Sequence, residues 1–578
     1  MCLCVEMDSK MSPGVVVAKT DALGIEVQRT SGLDGAEQTF DDSQKKTNTD
    51  AESGSVSAQT EKKPENFHRP KGIRFALLFT CILFGSFLIG YDTSCIATLT
   101  PVITDQFHAL NDIGWYQVAY LLAQSATILV YGQLYSFYSM KTLYMSSLFV
   151  FAIGSVLSAA APTSPVFIVG RVLSGLGAAG ILSGTNIIVA HTTSLKHRPV
   201  YSAIGGGVEC LALAFGPFIS GSIAHSSTWK VSFYIIIPLS AIIFVMVFFS
   251  IGHIRRSENA PLGSKDGKDG KDRLRRIDWA GFAINVPMTL CLVLGLEWAG
   301  TKYSWANWRI ILLLAVFVVL LALFLTVEYR AGDDIMVPLK MLRQRSVAFA
   351  SLITFCNFAH LAVIAYYLPF YFQGVRGAST FGSGLMYLPL AVALAVTALA
   401  SGPLTSFIGY YNPALIIGSV ITTMGSGLIT TLRPNTIAGK WISYQIIYGI
   451  GIGLAFQPPY VAVQTVLHDS IVPKALVVLS FTQQLGDILI LSITQNVFLN
   501  RLAHNLATNV PELDPDEVLG SGALGLVHAM PAKLRDQVLV AYNGALVDVF
   551  YIALGLTCLV VASTLGIEWR SVKQVKNQ

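Results

Sequence analysis

The sequence predicts an all-α membrane protein with fourteen transmembrane helices, arranged as two six-helix halves with two further helices inserted between them. Of the 578 residues, 53% are hydrophobic and only 13% are charged, and the mean hydropathy is +0.58. A soluble protein cannot hide that much apolar surface, because its outer face must be polar. Apolar stretches of about 20 residues, the length that crosses roughly 30 Å of hydrocarbon as a helix, recur along the chain. A loop sequence also occurs twice, at matching places.

Fourteen apolar stretches are the predicted spans, because each is long enough to cross the hydrocarbon core as a helix. Only a short loop separates the tenth from the eleventh. In chain order the predicted spans are 75–99, 114–136, 142–161, 165–190, 201–224, 231–252, 277–299, 309–328, 347–369, 381–401, 412–432, 441–467, 476–499 and 546–567.

The distribution of Lys and Arg predicts that both termini are cytoplasmic. With a cytoplasmic N-terminus, basic residues are concentrated in the inner loops, above all between Arg255 and Arg276, and are sparse in the outer ones. That excess is the usual sign of orientation in membrane proteins. Residues 1–70 are polar and are predicted to be disordered, and the first span serves as an uncleaved signal-anchor. The last outer loop, about 500–545, is predicted to be part-helical.

The repeat supports the division into two halves. GQLYSFYSMKT begins at Gly132 after the second span, and GPLTSFIGYYN begins at Gly402 after the tenth, with Gly, Leu, Ser and Phe at the same offsets. Two such halves around a site in the middle of the membrane are a transporter architecture. The predicted domains are a tail (1–70), a six-helix half (71–252), a linker (253–276), two inserted helices with a loop (277–346), a second six-helix half (347–567) and a tail (568–578).

Four side chains that can carry a charge lie deep in predicted spans: Asp92, Arg171, Glu209 and Asp487. Each costs about 2.5–3.5 kcal/mol near the membrane centre, so each needs a partner, a wet cavity or a proton. By helical rise, Asp92 and Arg171 lie roughly 25 and 21 Å from the inner face, at similar heights. Asp92 is therefore predicted either to switch protonation beside Arg171 or to form a static ion pair with it.

Glu209 and Asp487 lie about 12 and 18 Å from the inner face by the same rise. Glu209 is either a proton-coupling group or a polar part of a cavity wall, and Asp487 is predicted to contact substrate or protons. His360 either bonds a neighbouring helix or lines the pathway. The predicted substrate cavity comprises Gln124, His360, Tyr366, Gln483, Gln484 and Asp487.

Metal and nucleic-acid chemistry is not expected. The His, Cys and carboxylate residues show no metal-site spacing, the eight cysteines suggest no zinc site or disulfide, and no nucleic-acid motif is present. We expect no cofactor, no nucleic-acid partner and no enzymatic activity, since His191 and His197 alone do not make a catalytic set. The expected partners are a small molecule, protons and the lipid bilayer, and the expected state is a monomer.

Several stretches carry a resemblance to a known family. GYDTSCIATLTPVI contains Asp92, GRVLSGLGAAG contains Arg171, and GPFISGSIA lies in the fifth span. With YYLPFYFQGV, QPPYVAVQ and FTQQLGDILILSITQNVF, they make residues 70–570 resemble the major facilitator superfamily, in its fourteen-span drug/proton antiporter branch, and most of all fungal multidrug and toxin efflux pumps. The resemblance implies that Asp92 is the first-span aspartate of that branch and that Arg171 takes part in proton transfer.

The fifth span resembles the antiporter motif through Gly216, Pro217 and Gly221. A Gly-Pro step lets helices approach closely and bends the helix, so the motif is predicted to act in gating; ordinary helix packing is the alternative. Glu209 and Asp487 stand where the family commonly has an aromatic residue and a glycine. These two acids indicate a substrate particular to this chain, either cationic or rich in hydrogen-bond donors.

The loop motif after the second span is a second predicted gating element, through Gly132 and Lys141. In the family this motif normally carries an aspartate and several basic residues. Ser136 and Phe137 occupy those places here, which removes the residues of the usual gating ion pair and leaves only Lys141.

The predicted function is proton-coupled efflux of an amphipathic small molecule, such as a fungal secondary metabolite, toxin or drug, by alternating access. Protonation at Asp92 or Glu209 would drive outward release. A proton-coupled importer of a nutrient or siderophore is the alternative, and a membrane enzyme and a non-transporting sensor are further rivals. The expected location is the cell membrane, with a vacuolar or vesicular membrane as the alternative.

Overall fold

The computed structural model of the chain describes residues 72–107, 112, 115–193, 197–250, 278–300, 303–330, 339–468, 471–510 and 532–573. They all belong to one compact unit, Glu65–Gln578. The predicted tail 1–70 and the linker 253–276 lie outside the described residues, as do residues 511–531 of the last outer loop.

The described residues fold almost entirely into helices. A five-residue π-helix, Tyr371–Val375, follows α11, and the only β-pairing in these ranges is two isolated bridges. The α-helices are α1 (Ile73–Phe107), α2 (Trp115–Phe137), α3 (Met140–Ala160), α4 (Ser164–Thr192), α5 (Arg198–Ser226), α6 (Trp229–Tyr234), α7 (Ile236–Ser250), α8 (Trp279–Trp298), α9 (Trp308–Arg330), α10 (Leu339–Leu342), α11 (Arg345–Phe370), α12 (Thr380–Ile408), α13 (Asn412–Ile429), α14 (Ala438–Phe456), α15 (Pro458–Val466), α16 (Val472–Asn509) and α17 (Ala532–Thr564).

Within the described ranges, thirteen helical segments are long and apolar enough to cross a membrane. The predicted second span coincides with α2, a 23-residue helix that is not one of the thirteen. Three of the segments each combine two helices: α6 with α7, α11 with the π-helix, and α14 with α15. The all-helical membrane fold is therefore as predicted, while the count of fourteen stays a prediction.

The largest extensions beyond the predicted spans are in three helices. α1 continues to Phe107 and α16 to Asn509, and α17 begins at Ala532 rather than near 546. Hydropathy marks only the part of a helix that is in hydrocarbon, whereas helical hydrogen bonding continues into the sequence beyond it, even through Pro101 of α1 and Gly544 of α17. The boundaries read from composition were too short at these ends for that reason.

The helices pack as two groups with contacts between them. In the first group α1 packs on α5 and α4 packs on both α2 and α3; in the second, α11 packs on α16 and α17, and α14 packs on α12 and α13. Between the groups, α5 packs on α12, and α16 packs on α2 and α4. The predicted inserted helices, α8 and α9, pack on each other, and α8 also contacts α2 and α16.

Candidate functional site

Asp92 and Arg171 form an ion pair in the interior of the first helix group. The Nη1 of Arg171 donates to both carboxylate oxygens of Asp92, at 2.9 Å to Oδ1 and 2.8 Å to Oδ2, and both side chains are 0% exposed. α1 supplies the carboxylate and α4 supplies the guanidinium. The structure thus brings together the two charges that helical rise placed at similar heights.

α2 completes the surroundings of Arg171. The Arg171 Nε donates to the carbonyl of Tyr116 at 3.0 Å, and its guanidinium carbon lies 4.5 Å from the centre of the Tyr120 ring. α2 can come this close because Gly175 of α4 abuts the Tyr120 carbonyl, where a Cβ would collide with the backbone. The guanidinium is therefore fixed by a carboxylate, a carbonyl and an aromatic face.

An aromatic cluster closes one end of the region around the pair. The ring centre of Phe167 lies 5.1 Å from that of Tyr116, 5.7 Å from that of Trp229 and 5.5 Å from that of Phe233. Phe233 also lies 6.0 Å from the Arg171 guanidinium carbon. These rings come from the starts of α2 and α4 and from α6, and they cover the pair on that side.

A cavity lies between the two helix groups. The first group contributes Ser86, Thr185 and Glu209 to its lining, and the second contributes Phe358, Tyr460 and Gln483. Glu209 is the one charged side chain among the described residues that line it. Its lining is mixed, because apolar and aromatic side chains are interspersed with polar ones such as Asn186, Ser202 and Gln457.

Asp487 lies close to this cavity although it is not part of the lining. It follows Gln483 by four residues on α16, so the two side chains share a helix face. The Asp487 carboxylate is within electrostatic range of Glu209, and Tyr460 is within range of both. The Tyr460 hydroxyl donates to the Gln483 Oε1 at 2.7 Å, so this ring is held against α16.

The ion pair and the cavity are close neighbours. Gly90, two residues before Asp92, lies where a Cβ would be 2.7 Å from the Glu209 carbonyl oxygen. Tyr120 is within electrostatic range of Asp92, Arg171 and Glu209. The backbones of α1 and α5 are therefore in contact next to both sites.

The remaining predicted cavity residues lie outside the described lining. His360 is fully buried and its Nδ1 lies 2.6 Å from the Tyr448 hydroxyl of α14, which fits the alternative that it bonds a neighbouring helix. Tyr366 is 43% exposed. Gln124 and Gln484 are buried, and the Gln124 Nε2 and Gln484 Oε1 have no hydrogen-bond partner in the described part of the chain.

The predicted gating residues of the fifth span lie at the contact of α1 with α5. Gly216 abuts the Ser94 hydroxyl, where a Cβ would collide with it, and that hydroxyl is 3.3 Å from the Ala212 carbonyl that can accept its hydrogen bond. Pro217 lies inside α5 and Gly221 follows it in the same helix. The motif therefore brings close to each other the two helices that carry Asp92 and Glu209.

The predicted loop residues Gly132 and Lys141 lie within α2 and in the first turn of α3, and they contact different neighbours. Gly132 of α2 lies against Val477 of α16, so that a Cβ would be 2.7 Å from a Val477 methyl, which places it between the two helix groups. The Lys141 Nζ donates to the Phe248 carbonyl at 2.6 Å, one of the last carbonyls of α7. A cation at a helix C-terminus is favourable both as a hydrogen-bond donor and toward the helix dipole.

Sequence reasoning missed Tyr120, Tyr460 and the polar contact between Asn186 and Ser480. The Asn186 Nδ2 donates to the Ser480 Oγ at 3.2 Å, linking α4 to α16. Each of these residues lies in an apolar stretch with ordinary helical spacing, so only the packing of separate helices reveals its neighbours. A polar side chain within a span was the available signal for Asn186.

Comparisons with known proteins agree with this architecture. The model of the Major Facilitator Superfamily matches residues 82–490. The chain is 38% identical over 531 residues to the MFS-type efflux pump MFS1 of Arthroderma benhamiae, covering 91% of this chain and 98% of that protein. It is 39% identical over 504 residues to the efflux pump aflT of Aspergillus parasiticus, covering 87% and 97%.

Solved structures share the fold at low sequence identity. The proton:xylose symporter XylE, bound to 6-bromo-6-deoxy-D-glucose, superposes with a TM-score of 0.53 at 15% identity, covering 84% of this chain and 95% of that one. The human organic anion transporter MFSD10 superposes with the same TM-score of 0.53 at 12% identity, covering 84% and 100%. These likenesses concern the fold alone.

Proposed function

Because the chain belongs to the Major Facilitator Superfamily, we propose that it is a proton-coupled efflux transporter that exports an amphipathic small molecule by alternating access. Family and fold make it a multi-pass membrane transporter rather than an enzyme. The direction of transport is supported by relatives that carry the name efflux pump. The observation that carries the proposal is the cavity between the helix groups, in a fold that also holds a buried ion pair in the first group.

The two six-helix halves are proposed to rock about this cavity, with α8 and α9 inserted between them in sequence. Rocking must break contacts on one side of the cavity. The Asn186–Ser480 hydrogen bond and the Gly132–Val477 contact both join the halves, so they are the contacts that open. The termini are proposed to be cytoplasmic and the protein to act as a monomer.

Protons act at Asp92, Arg171 and Glu209 in this proposal. A proton on Asp92 removes the charge that holds Arg171, and leaves the guanidinium with the Tyr116 carbonyl and the Tyr120 ring. A buried ion without its counter-charge is costly, so the protonated state favours a different arrangement of α1 and α4. Glu209, in range of the same Tyr120, makes the cavity sensitive to that change.

Fluorescent amphipaths test the direction and the coupling. A yeast strain lacking its own drug pumps would express the full chain and be loaded with rhodamine 6G, Nile red or 8-anilinonaphthalene-1-sulfonate. We expect lower retention of at least one dye than in vector-only cells, and no difference after a protonophore collapses the pH gradient. Higher retention would indicate import, and a difference that survives the protonophore would contradict proton coupling.

A further inference from the structure

Glu209 in the cavity lining and Asp487 close to it differ from Asp92, because neither has a counter-charge. Asp92 is neutralised by Arg171 at 2.8 Å. Glu209 and Asp487 have no ion pair with any described residue, and the described lining of the cavity contains no Lys or Arg. Two carboxylates in range of each other within a membrane are unfavourable unless protons or a cation neutralise them.

The walls of the cavity suit the apolar part of a cation. Aromatic rings line it from both helix groups, Tyr201 from the first and Phe358, Phe456 and Tyr460 from the second. The faces of aromatic rings attract cations, with a larger effect where water is excluded. Aromatic walls and uncompensated acids together favour an organic cation over a neutral or anionic molecule of the same size.

We propose that the cavity binds an organic cation, an amine or onium group on an apolar or aromatic body, with Glu209 and Asp487 as its counter-charges and protons as its competitors. The inference rests on the proposed function only in taking the cavity as the cargo site. The other titratable groups in range of the two acids are Tyr120, Cys210 and Tyr460. None of the three can become a cation, so the competing positive charge comes from protons or the ligand.

Binding to the purified full-length protein tests this without any transport. Equilibrium binding of radiolabelled tetraphenylphosphonium in nanodiscs would be compared with that of triphenylphosphine oxide, a neutral molecule of similar shape. We expect Glu209→Gln and Asp487→Asn each to weaken tetraphenylphosphonium binding about tenfold or more, since a charge-assisted contact is lost. Binding of the neutral molecule should change less than twofold.

Two further variants separate charge from folding. Glu209→Asp keeps the charge and should retain cation binding, and Asp548→Asn removes an acid that is 38% exposed and should change neither ligand. In the unsubstituted protein, tetraphenylphosphonium should bind more weakly at pH 5.5 than at pH 8, and Glu209→Gln combined with Asp487→Asn should remove that dependence.

Some results would overturn the cation assignment. One such result is that the two neutralising variants weaken the binding of the cation and of the neutral molecule equally. Another is that they leave cation binding unchanged. A third is that Glu209→Asp loses as much cation binding as Glu209→Gln does. Selective cation binding without any dye export in cells would leave this inference standing and contradict the proposed function instead.

Discussion

At the scale of single residues, the contact between Asp92 and Arg171 is closer than their matching depths in the membrane could predict. Helical rise placed the two charges at one height, and the structure adds that the Arg171 Nη1 donates to both carboxylate oxygens. The Tyr120 ring under the guanidinium was not predictable, because its position depends on how closely α2 approaches α4. For the same reason the sequence left open whether His360 faces a pathway or, as found, Tyr448.

The ion pair predicts a specific pattern of stability in variants. Arg171→Ala should destabilise the protein by about 3–5 kcal/mol, because it leaves a buried carboxylate uncompensated. Asp92→Asn combined with Arg171→Ala should recover a large part of that loss, since no charge then remains unpaired. Thermal unfolding of the purified variants in detergent measures both. If the two substitutions lowered stability additively, the pair would not be the unit of interaction.

At the scale of helices, the loop repeat has a structural counterpart in how two helices end. Lys141, in the first copy of the repeat and the first turn of α3, donates to the Phe248 carbonyl at the end of α7. Tyr411, at the same offset in the second loop, donates from its hydroxyl to the Glu568 carbonyl just beyond α17, at 2.6 Å. Sequence offsets alone revealed the repeat. The role of the repeat could not be predicted from those offsets, because Lys and Tyr have in common only a hydrogen-bond donor at the end of a long side chain.

Gly175 is predicted to be essential for the approach of α2 to α4. Gly175→Ala would press a methyl group against the Tyr120 carbonyl, and an overpacked contact typically costs about 1–3 kcal/mol. The movement would also carry the Tyr120 ring away from Arg171. Gly555→Ala is the matched control, because a Cβ at Gly555 of α17 meets nothing within 4 Å. Thermal unfolding should show a loss for Gly175→Ala alone, and equal midpoints would refute the role of this contact.

At the scale of the whole molecule, the fold separates two kinds of acid. Asp92 lies within one helix group, beside a permanent counter-charge and behind aromatic rings, whereas Glu209 borders the cavity between the groups. Composition and span length were sufficient to predict the membrane fold, because hydrocarbon leaves few alternatives to helices. The cavity could not be predicted in the same way. Its lining combines residues far apart in sequence, such as Ser86 and Gln483, and only packing brings them together.

Proton movement driven by cargo is the most direct test of the account. The purified chain would be reconstituted into liposomes that contain a pH-sensitive dye, and a gradient of tetraphenylphosphonium would be imposed with the membrane potential clamped. The account predicts proton flux opposite to the cation in the unsubstituted protein and in Asp548→Asn. It predicts none in Asp92→Asn, although that variant should still bind the cation. Proton flux at the unsubstituted rate in Asp92→Asn would contradict the central claim that this buried carboxylate couples protons to transport.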